Sequence, residues 1–400
     1  MDFKQSWKKL KLGEIGEVIG GGTPSTKNNK YYNGNIPWIT PRDLSGYQEK
    51  YISSGNRYIS QEGLQNSSAK LLPKGTVLFS SRAPIGYIAI AENELATNQG
   101  FKSIIPKKEY ITTDYLFYLL KYNTNDIKKL GSGTTFPEVS GKVIKEYEVT
   151  IPDLFTQNKI SDILSALDDK IEINNKIISN LEEQVQALFK SWFIDFEPFQ
   201  NEEFVESEIG LIPTRWLVKP LKSVSKITMG QSPKSEYYNL TSNGLPFLQG
   251  NTTFGFKFPD VEKYTSKITR ESYYKDILIS VRAPVGAMNI NIFNKICIGR
   301  GLASISPDEN LSSYIYYYIK AFKLNLLSKS SGTIFQSINK VDLETFKVLV
   351  PIGTEYINKF NTLGNSIIDY QIKLHNENII LEKIRNTLLP KLMSGEISVE

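Results

Sequence analysis

A single histidine, His375, and a single cysteine, Cys297, restrict the chemistry open to this chain. No Ser-His-Asp triad and no zinc site of Cys/His type can be assembled around them. His375 sits inside a long helical pattern, where a helix-surface or register role is expected. Gly20-Gly21-Gly22-Thr23-Pro24-Ser25-Thr26-Lys27 looks like a phosphate loop, but the spacing is wrong and Pro24 removes a backbone donor that an anion nest needs. A polar loop is the better reading. Pro152-Asp153 followed by Asp168-Asp169-Lys170 has the letter order of a metal-dependent nuclease. Such a site needs carboxylates converging on a metal, whereas Asp168 and Lys170 fall in a heptad helix and the second half has Pro351-Ile352 instead. No glycine fingerprint for a dinucleotide or S-adenosylmethionine is present, and no Asn/Asp-Pro-Pro-aromatic tetrapeptide. The chain is therefore expected to carry no catalytic residues and no metal.

What remains are residues suited to binding, and the elements that would position them. The dominant one runs from Gln157 to Phe193. Ile160, Leu164, Leu167, Ile171, Asn174, Ile178, Leu181, Val185, Leu188 and Trp192 recur at a four-three spacing without interruption by Pro or Gly. That repeat keeps one seam toward a partner helix, over a length on the order of 55 Å. Asn174 is the polar exception, of the kind that fixes register in paired helices. A second helix is expected from about Glu355 to Met393, with a seam of Phe360, Leu363, Ile367, Tyr370, Leu374, Glu377, Leu381, Ile384 and Leu388. Pro390 should end or kink it. The two helices most simply pair with each other, antiparallel.

The chain also repeats itself at an offset of about 200 residues, too long for a solenoid. Trp7, Leu12 and Ile15 are answered by Trp216, Leu221 and Val224, and Asn33-Gly34-Asn35-Ile36-Pro37-Trp38 by Asn243-Gly244-Leu245-Pro246-Phe247. Ser81-Arg82-Ala83-Pro84-Ile85-Gly86 matches Val281-Arg282-Ala283-Pro284-Val285-Gly286. Tyr115 to Tyr118 match Tyr314 to Tyr317, and Gly133 to Phe136 match Gly332 to Phe335. Each half reads as an α+β domain, with buried strands at Thr76–Ser80 and Ile277–Val281 and helices at Tyr115–Lys121 and Tyr314–Lys320. Asp195 to Arg215 joins the halves. Its acidic run (Glu202, Glu203, Glu206, Glu208) suggests an exposed connector.

Four hundred residues allow two substantial cores. One cysteine excludes an internal disulfide framework and suits a reducing cytosol. The start of the chain lacks the apolar core of a signal peptide, and no apolar run is long enough to span a membrane; a cytoplasmic protein is expected. A net charge of +5 is compatible with nucleic acid without demanding it.

The helical motifs carry a specific resemblance. Leu167-Asp168-Asp169-Lys170-Ile171-Glu172-Ile173-Asn174, continuing to Ala187-Leu188-Phe189-Lys190-Ser191-Trp192-Phe193-Ile194-Asp195-Phe196, resembles the central helical region of type I restriction-modification specificity (S) subunits. Leu388-Leu389-Pro390-Lys391-Leu392-Met393-Ser394-Gly395-Glu396-Ile397 resembles their distal helical region, and Gly210-Leu211-Ile212-Pro213-Thr214-Arg215-Trp216 the start of their second half. The resemblance covers essentially the whole chain. It implies an α+β architecture with a pseudo-two-fold internal repeat, in which two similar target recognition domains are separated by two long antiparallel coiled-coil helices. The layout would be recognition domain 1 over 1–153, a central helical spacer over 154–196, a linker over 197–215, recognition domain 2 over 216–353 and a distal helical spacer over 354–400. It further implies double-stranded DNA as ligand, two methyltransferase (modification) subunits docked on the helices, and a restriction/translocase subunit. S-adenosylmethionine would sit in the methyltransferase partner, ATP and Mg in the nuclease partner, and no cofactor in this chain. Two other readings are weaker on the residues: part of a fused restriction-methylation enzyme, and a protein-binding coiled-coil scaffold.

Base edges and phosphates are gripped by Arg, Lys, Asn, Gln, Ser and Thr. In the first half the DNA-binding candidates are Lys27, Asn28, Lys30, Thr40, Arg42, Arg82, Asn98, Gln99, Thr134 and Thr135. In the second they are Lys234, Gln249, Asn251, Arg282, Arg300, Thr333 and Gln336. Arg82 and Arg282 recur in both halves, which favours a strand-end cap onto carbonyls or a phosphate contact. Residues that differ between halves, Asn98-Gln99 against Gly299-Arg300, suit base readout better. The seam expected to pair the helices comprises Leu164, Leu167, Ile171, Asn174, Ile178 and Leu181 with Ile367, Tyr370, Leu374, Leu381 and Ile384.

Overall fold

The structure is a computed structural model that describes residues 7–133, 137–328, 337–353 and 355–399. The chain is α+β and divides into two compact units. Unit 1 comprises residues 1–174 and 377–400, and unit 2 residues 175–376. Four helices organise them: α1 (Thr113–Lys129), α2 (Leu154–Phe193), α3 (Ser312–Ala321) and α4 (Glu355–Met393). Asp153 starts α2 as a helix cap. Its carboxylate accepts from the backbone N–H groups of Phe155 (2.9 Å) and Thr156 (3.1 Å), the donors a helix start leaves unpaired.

In unit 1 a five-stranded sheet runs in the order Gly16–Gly20, Lys102–Pro106, Val77–Ser81, Ile85–Ala91, Tyr51–Ile52. A smaller sheet joins Tyr32–Ile39 to Tyr58–Ile59 and, in parallel, to Ala96–Thr97. Unit 2 repeats the plan: Ser225–Met229, Leu302–Pro307, Ile277–Ser280 and Met288–Ile290 form one sheet, and Leu245–Leu248 pairs in parallel with Lys295–Ile298. Each unit closes by the same antiparallel pairing, Lys8–Lys11 with Glu148–Ile151 and Trp216–Pro220 with Lys347–Pro351. That strand pair leads straight into the long helix that follows.

Within each unit α2 and α4 run antiparallel. In unit 1 Asp168 meets Arg385 at 2.6 Å and the Asn174 amide donates to Asn378 at 2.8 Å. In unit 2 the Gln371 amide donates to the Ile178 carbonyl at 2.9 Å, and Phe189 packs on Phe360. The seam differs in detail from the four-three expectation. Leu164, Ile171, Asn174, Ile178 and Leu374 are buried, and Leu167, Leu181, Ile367 and Leu381 half-buried. Tyr370 is 46% exposed and Ile384 41%, so neither belongs to the seam; Ile368, Gln371, Ile372 and Asn378 are buried instead. On α2 Leu164, Ile171, Ile178 and Val185 are buried seven residues apart, as the heptad predicts, and Ile160, Ile171, Glu182 and Phe193 are buried eleven apart. A helix with about 3.6 residues per turn falls about 20° short of the same face after seven residues and passes it by about 20° after eleven, so its buried face can follow either count over part of its length.

Two further expectations are corrected. Pro390 does not end helix α4, which runs on to Met393 as its expected bounds had it, with Leu389, Leu392 and Met393 buried in the core of unit 1. The joint between the halves is folded. Phe204–Ser207 and Gly210–Pro213 form a hairpin, and Phe199 and Ile212 are buried beside Trp216, while Glu203, Glu206 and Glu208 stay exposed.

Candidate nucleic-acid interface

Three strand ends converge at one place in each unit, held by the same hydrogen bonds. In unit 1 the Gly22 N–H donates to the Thr97 carbonyl (2.9 Å), Asn98 N–H to Ile39 (3.0 Å) and Ser81 N–H to Gly100 (2.7 Å). In unit 2 Gln231 N–H donates to Ile298 (3.0 Å), Gly299 N–H to Leu248 (2.8 Å) and Val281 N–H to Gly301 (2.9 Å). The approach is close enough to require glycine. A Cβ on Gly21 would lie 1.9 Å from the Asn98 carbonyl, and one on Gly230 2.1 Å from that of Gly299. The glycine run of the first half thus serves backbone packing.

This frame gathers Thr40, Asn98 and Gln99 in unit 1, and Gln249 and Arg300 in unit 2. Thr40 is engaged with Asp43 (2.6 Å), and the Asn98 side chain accepts from Gly100 N–H (2.8 Å), so both shape the loop. Gln99 is exposed and accepts from Thr23. Gln249 and Arg300 are exposed, and the Arg300 N–H is bound by Ser232 Oγ at 3.2 Å. Thr23 and Ser232, which the sequence did not single out, are the polar links between loops. Lys27 and Lys30 are exposed on the loop that leaves Gly22, where Asn28 caps a short turn by accepting from Lys30 N–H (3.1 Å). Lys234 is exposed just beyond Ser232, and Asn251 opens a 3-10 turn after Gly250. Arg42 is exposed next to Asp43. Thr134, Thr135, Thr333 and Gln336 lie outside the described residues.

The frame is duplicated while the side chains it presents differ. Comparison with known proteins places the duplication in a family. The family of the type I restriction modification DNA specificity domain matches twice, over residues 4–183 and 213–389. The chain belongs to this family. It is 37% identical to the type I restriction enzyme MjaIX specificity subunit of Methanocaldococcus jannaschii, over 99% of this chain and 94% of that one. It is 25% identical to the HindI specificity subunit of Haemophilus influenzae, over 98% and 99%. A crystal structure of a type I restriction-modification system S subunit from M. genitalium shares the fold, with a TM-score of 0.59 at 16% identity over 96% of both chains.

Within this specificity subunit the two repeated arginines behave differently. Among the described residues the Arg82 guanidinium caps no carbonyl and pairs with the Glu138 carboxylate at 3.2 Å, which Lys102 also approaches (3.3 Å). Arg282 is exposed, its backbone bridged to Ser337 where Arg82 is bridged to Glu138. The turn around them has one construction in both units: Ser80 Oγ donates to the Pro84 carbonyl and accepts from Tyr87 N–H, and Ser280 does the same with Pro284 and Ala287.

The residues with nuclease-like spacing have structural work. Asp153 caps α2, and its hydrogen bonds from Thr156 hold its carboxyl below the usual range. Asp168 accepts from Tyr118 OH (2.7 Å) and pairs with Arg385. Among the described residues no group of three or more His, Cys, Asp or Glu is placed to hold a metal, and no helix is long and apolar enough to cross a membrane. His375 is half-buried against the Phe258 ring at 5.2 Å, and burial pushes its pKa down.

Sequence reasoning missed a buried ionic cluster in unit 2. Lys257, 1% exposed, donates to Glu182, to Tyr317 OH (2.9 Å) and to Gln371 (2.7 Å). Glu182 also receives Lys320 at 2.5 Å. Burial pulls Lys257 down to about 8 although Glu182 opposes this. Burial pushes Glu182 up, but the two lysines outweigh it and hold it below the usual range. Only the eleven-residue track, which puts Glu182 in line with Ile171 and Phe193, would have flagged it.

Proposed function

We propose that each recognition domain of this specificity subunit reads one half of a bipartite double-stranded DNA target, with α2 and α4 setting the spacer between half-sites. The duplicated strand-end frame carries the reading. A fixed backbone offering Gln99 in one copy and Gln249 with Arg300 in the other suits two different half-sites read by one geometry. Two methyltransferase subunits would dock on the helices, with S-adenosylmethionine bound there, and a restriction/translocase subunit would bring ATP and Mg. Recognition domains over 1–153 and 216–353, with spacers over 154–196 and 354–400 and a joint over 197–215, fit this division of labour. Linking two weak readers raises the effective concentration of the second once the first has bound.

Selection of the full chain on a randomised duplex library tests the reading. Two short motifs separated by a constant non-specific spacer are expected. A heptad inserted into both α2 and α4 adds about 10 Å, close to three base pairs of DNA, and should lengthen the spacer while leaving both motifs unchanged. A single contiguous motif, or a spacer indifferent to the insertion, would defeat it.

A further inference from the structure

Lys50 and Lys257 occupy the same place in the two units. The Lys50 carbonyl accepts from Ile90 N–H at 2.8 Å and the Lys257 carbonyl from Ile290 N–H at 2.9 Å, in the strands that follow the repeated Arg-Ala-Pro turn. Their sequence surroundings are unlike, which hid the match. Both side chains are buried, 5% and 1% exposed, and both reach from the recognition domain to a long helix. Lys50 Nζ donates to Ser165 on α2 (2.7 Å) and pairs with Asp114 on α1 (2.6 Å), over the Tyr118 ring. Lys257 Nζ donates to Glu182 on α2, Gln371 on α4 and Tyr317 on α3, and Tyr317 is the repeat counterpart of Tyr118.

An ammonium is a poor choice for stability at such a position, because its desolvation offsets much of what its partners return. It is a good choice for direction. Two acceptors for Lys50 and three for Lys257, drawn from two or three helices, define one orientation, where an apolar contact would tolerate sliding. The spacer reading needs such definition. One base pair moves a half-site by about 3.4 Å and by about a tenth of a turn, so a domain that rocks on its helix cannot reject a neighbouring spacer.

We infer that Lys50 and Lys257 are positioning residues that lock each recognition domain onto its long helix and so set how sharply spacer length is discriminated. This rests on the spacer reading proposed above. The test uses the full chain carrying Lys50→Met and Lys257→Met, singly and together, with Lys257→Met/Glu182→Gln as the alternative should the single change prevent folding. Library selection should return both half-site motifs unchanged, with preference for the wild-type spacer over one longer or shorter by a base pair falling about tenfold (~1.4 kcal/mol). Spin labels at Glu183→Cys on α2 and Thr241→Cys in the recognition domain should give a broader distance distribution in the Lys257 variant; the native Cys297 is buried and does not compete for label. A folded double variant with wild-type spacer preference overturns the lock, as does one that is merely less heat-stable. A wild-type chain without spacer preference sinks the spacer reading instead. The label distances then decide the lock alone, an unbroadened distribution overturning it.

Discussion

Replacing Phe189 with alanine separates the buried face that the structure shows from the heptad that the sequence suggests, because Phe189 lies one residue past the heptad position Leu188. Phe189 is 1% exposed, and its ring meets Phe193 (5.2 Å), Tyr314 (5.6 Å) and Phe360 (5.6 Å), at the junction of α2, α3 and α4. Truncation of a buried phenylalanine costs about 3–5 kcal/mol, since lost transfer energy adds to the cavity left behind. Leu188, the seam residue on a strict four-three count, is half-buried at the edge of the same core. Leu188→Ala should cost about 1 kcal/mol, roughly half of what full burial of a leucine is worth. At about 2–4 °C per kcal/mol for a unit of this size, the melting of unit 2 should fall by roughly 6–20 °C for Phe189→Ala and roughly 2–4 °C for Leu188→Ala. Calorimetry gives the transitions. Fluorescence assigns the shift in a background with the unit 1 tryptophans Trp7 and Trp38 replaced by phenylalanine, leaving Trp192 and Trp216, which meet the rings of Tyr356 and Phe193 edge-on in unit 2. A Leu188→Ala loss equal to that of Phe189→Ala would restore the heptad and refute the drift of the seam.

Two further predictions concern the site and its flank. Arg300→Ala should cost about 1–3 kcal/mol on the best target and relax one base position, as read from selected sequences; equal weakening on all sequences would assign Arg300 to a phosphate. His375 is the chain's single histidine, so proton NMR gives one titrating imidazole, expected below 6.5 because burial outweighs the attraction of Asp260. Between that lowered value and 6.5 the unfolded chain binds more protons than the folded one. The stability His375 contributes is therefore present at neutral pH and lost as pH falls through this window. A midpoint at or above 6.5 contradicts its burial.

The architecture was legible because it rests on patterns that survive local variation. The duplicate motifs, the strands before Arg82 and Arg282 and the bounds of α2 and α4 all follow from periodicity and punctuation, and the structure has them within a few residues. The seam was less legible. Tyr370 and Ile384 fit a seven-residue count but not the true pitch, and a one-residue shift around a helix turns a side chain by about 100°. Lys50, Lys257 and Glu182 were illegible for another reason. Charged residues are presumed exposed unless paired, and their partners come from distant segments that only the fold brings together. The joint looked like an open connector because of its acidic run, while Phe199, three residues before Glu202, and Ile212, four after Glu208, were the residues that folded it.

The degree of likeness between the halves helps to sort shape from recognition. The segment most alike, around Arg82-Ala83-Pro84 and Arg282-Ala283-Pro284, is built on serine hydroxyls that bracket the same turn in both units. On the proposal that the two domains read different half-sites, a feature common to both is not what distinguishes those sequences. Even the shared arginine has diverged in use, since Glu138 neutralises Arg82 whereas the matching backbone bridge brings Ser337 to Arg282. An exposed guanidinium at a turn beside the frame suits a phosphate, and a paired one suits holding the turn together. The proposed reading then assigns specificity to the loop tips where the copies disagree, with Gln99 beside Thr23 in unit 1 and Gln249 and Arg300 beside Ser232 in unit 2. The backbone hydrogen bonds beneath those tips are common to both units, so exchanging the tips should transfer a half-site preference without disturbing the fold.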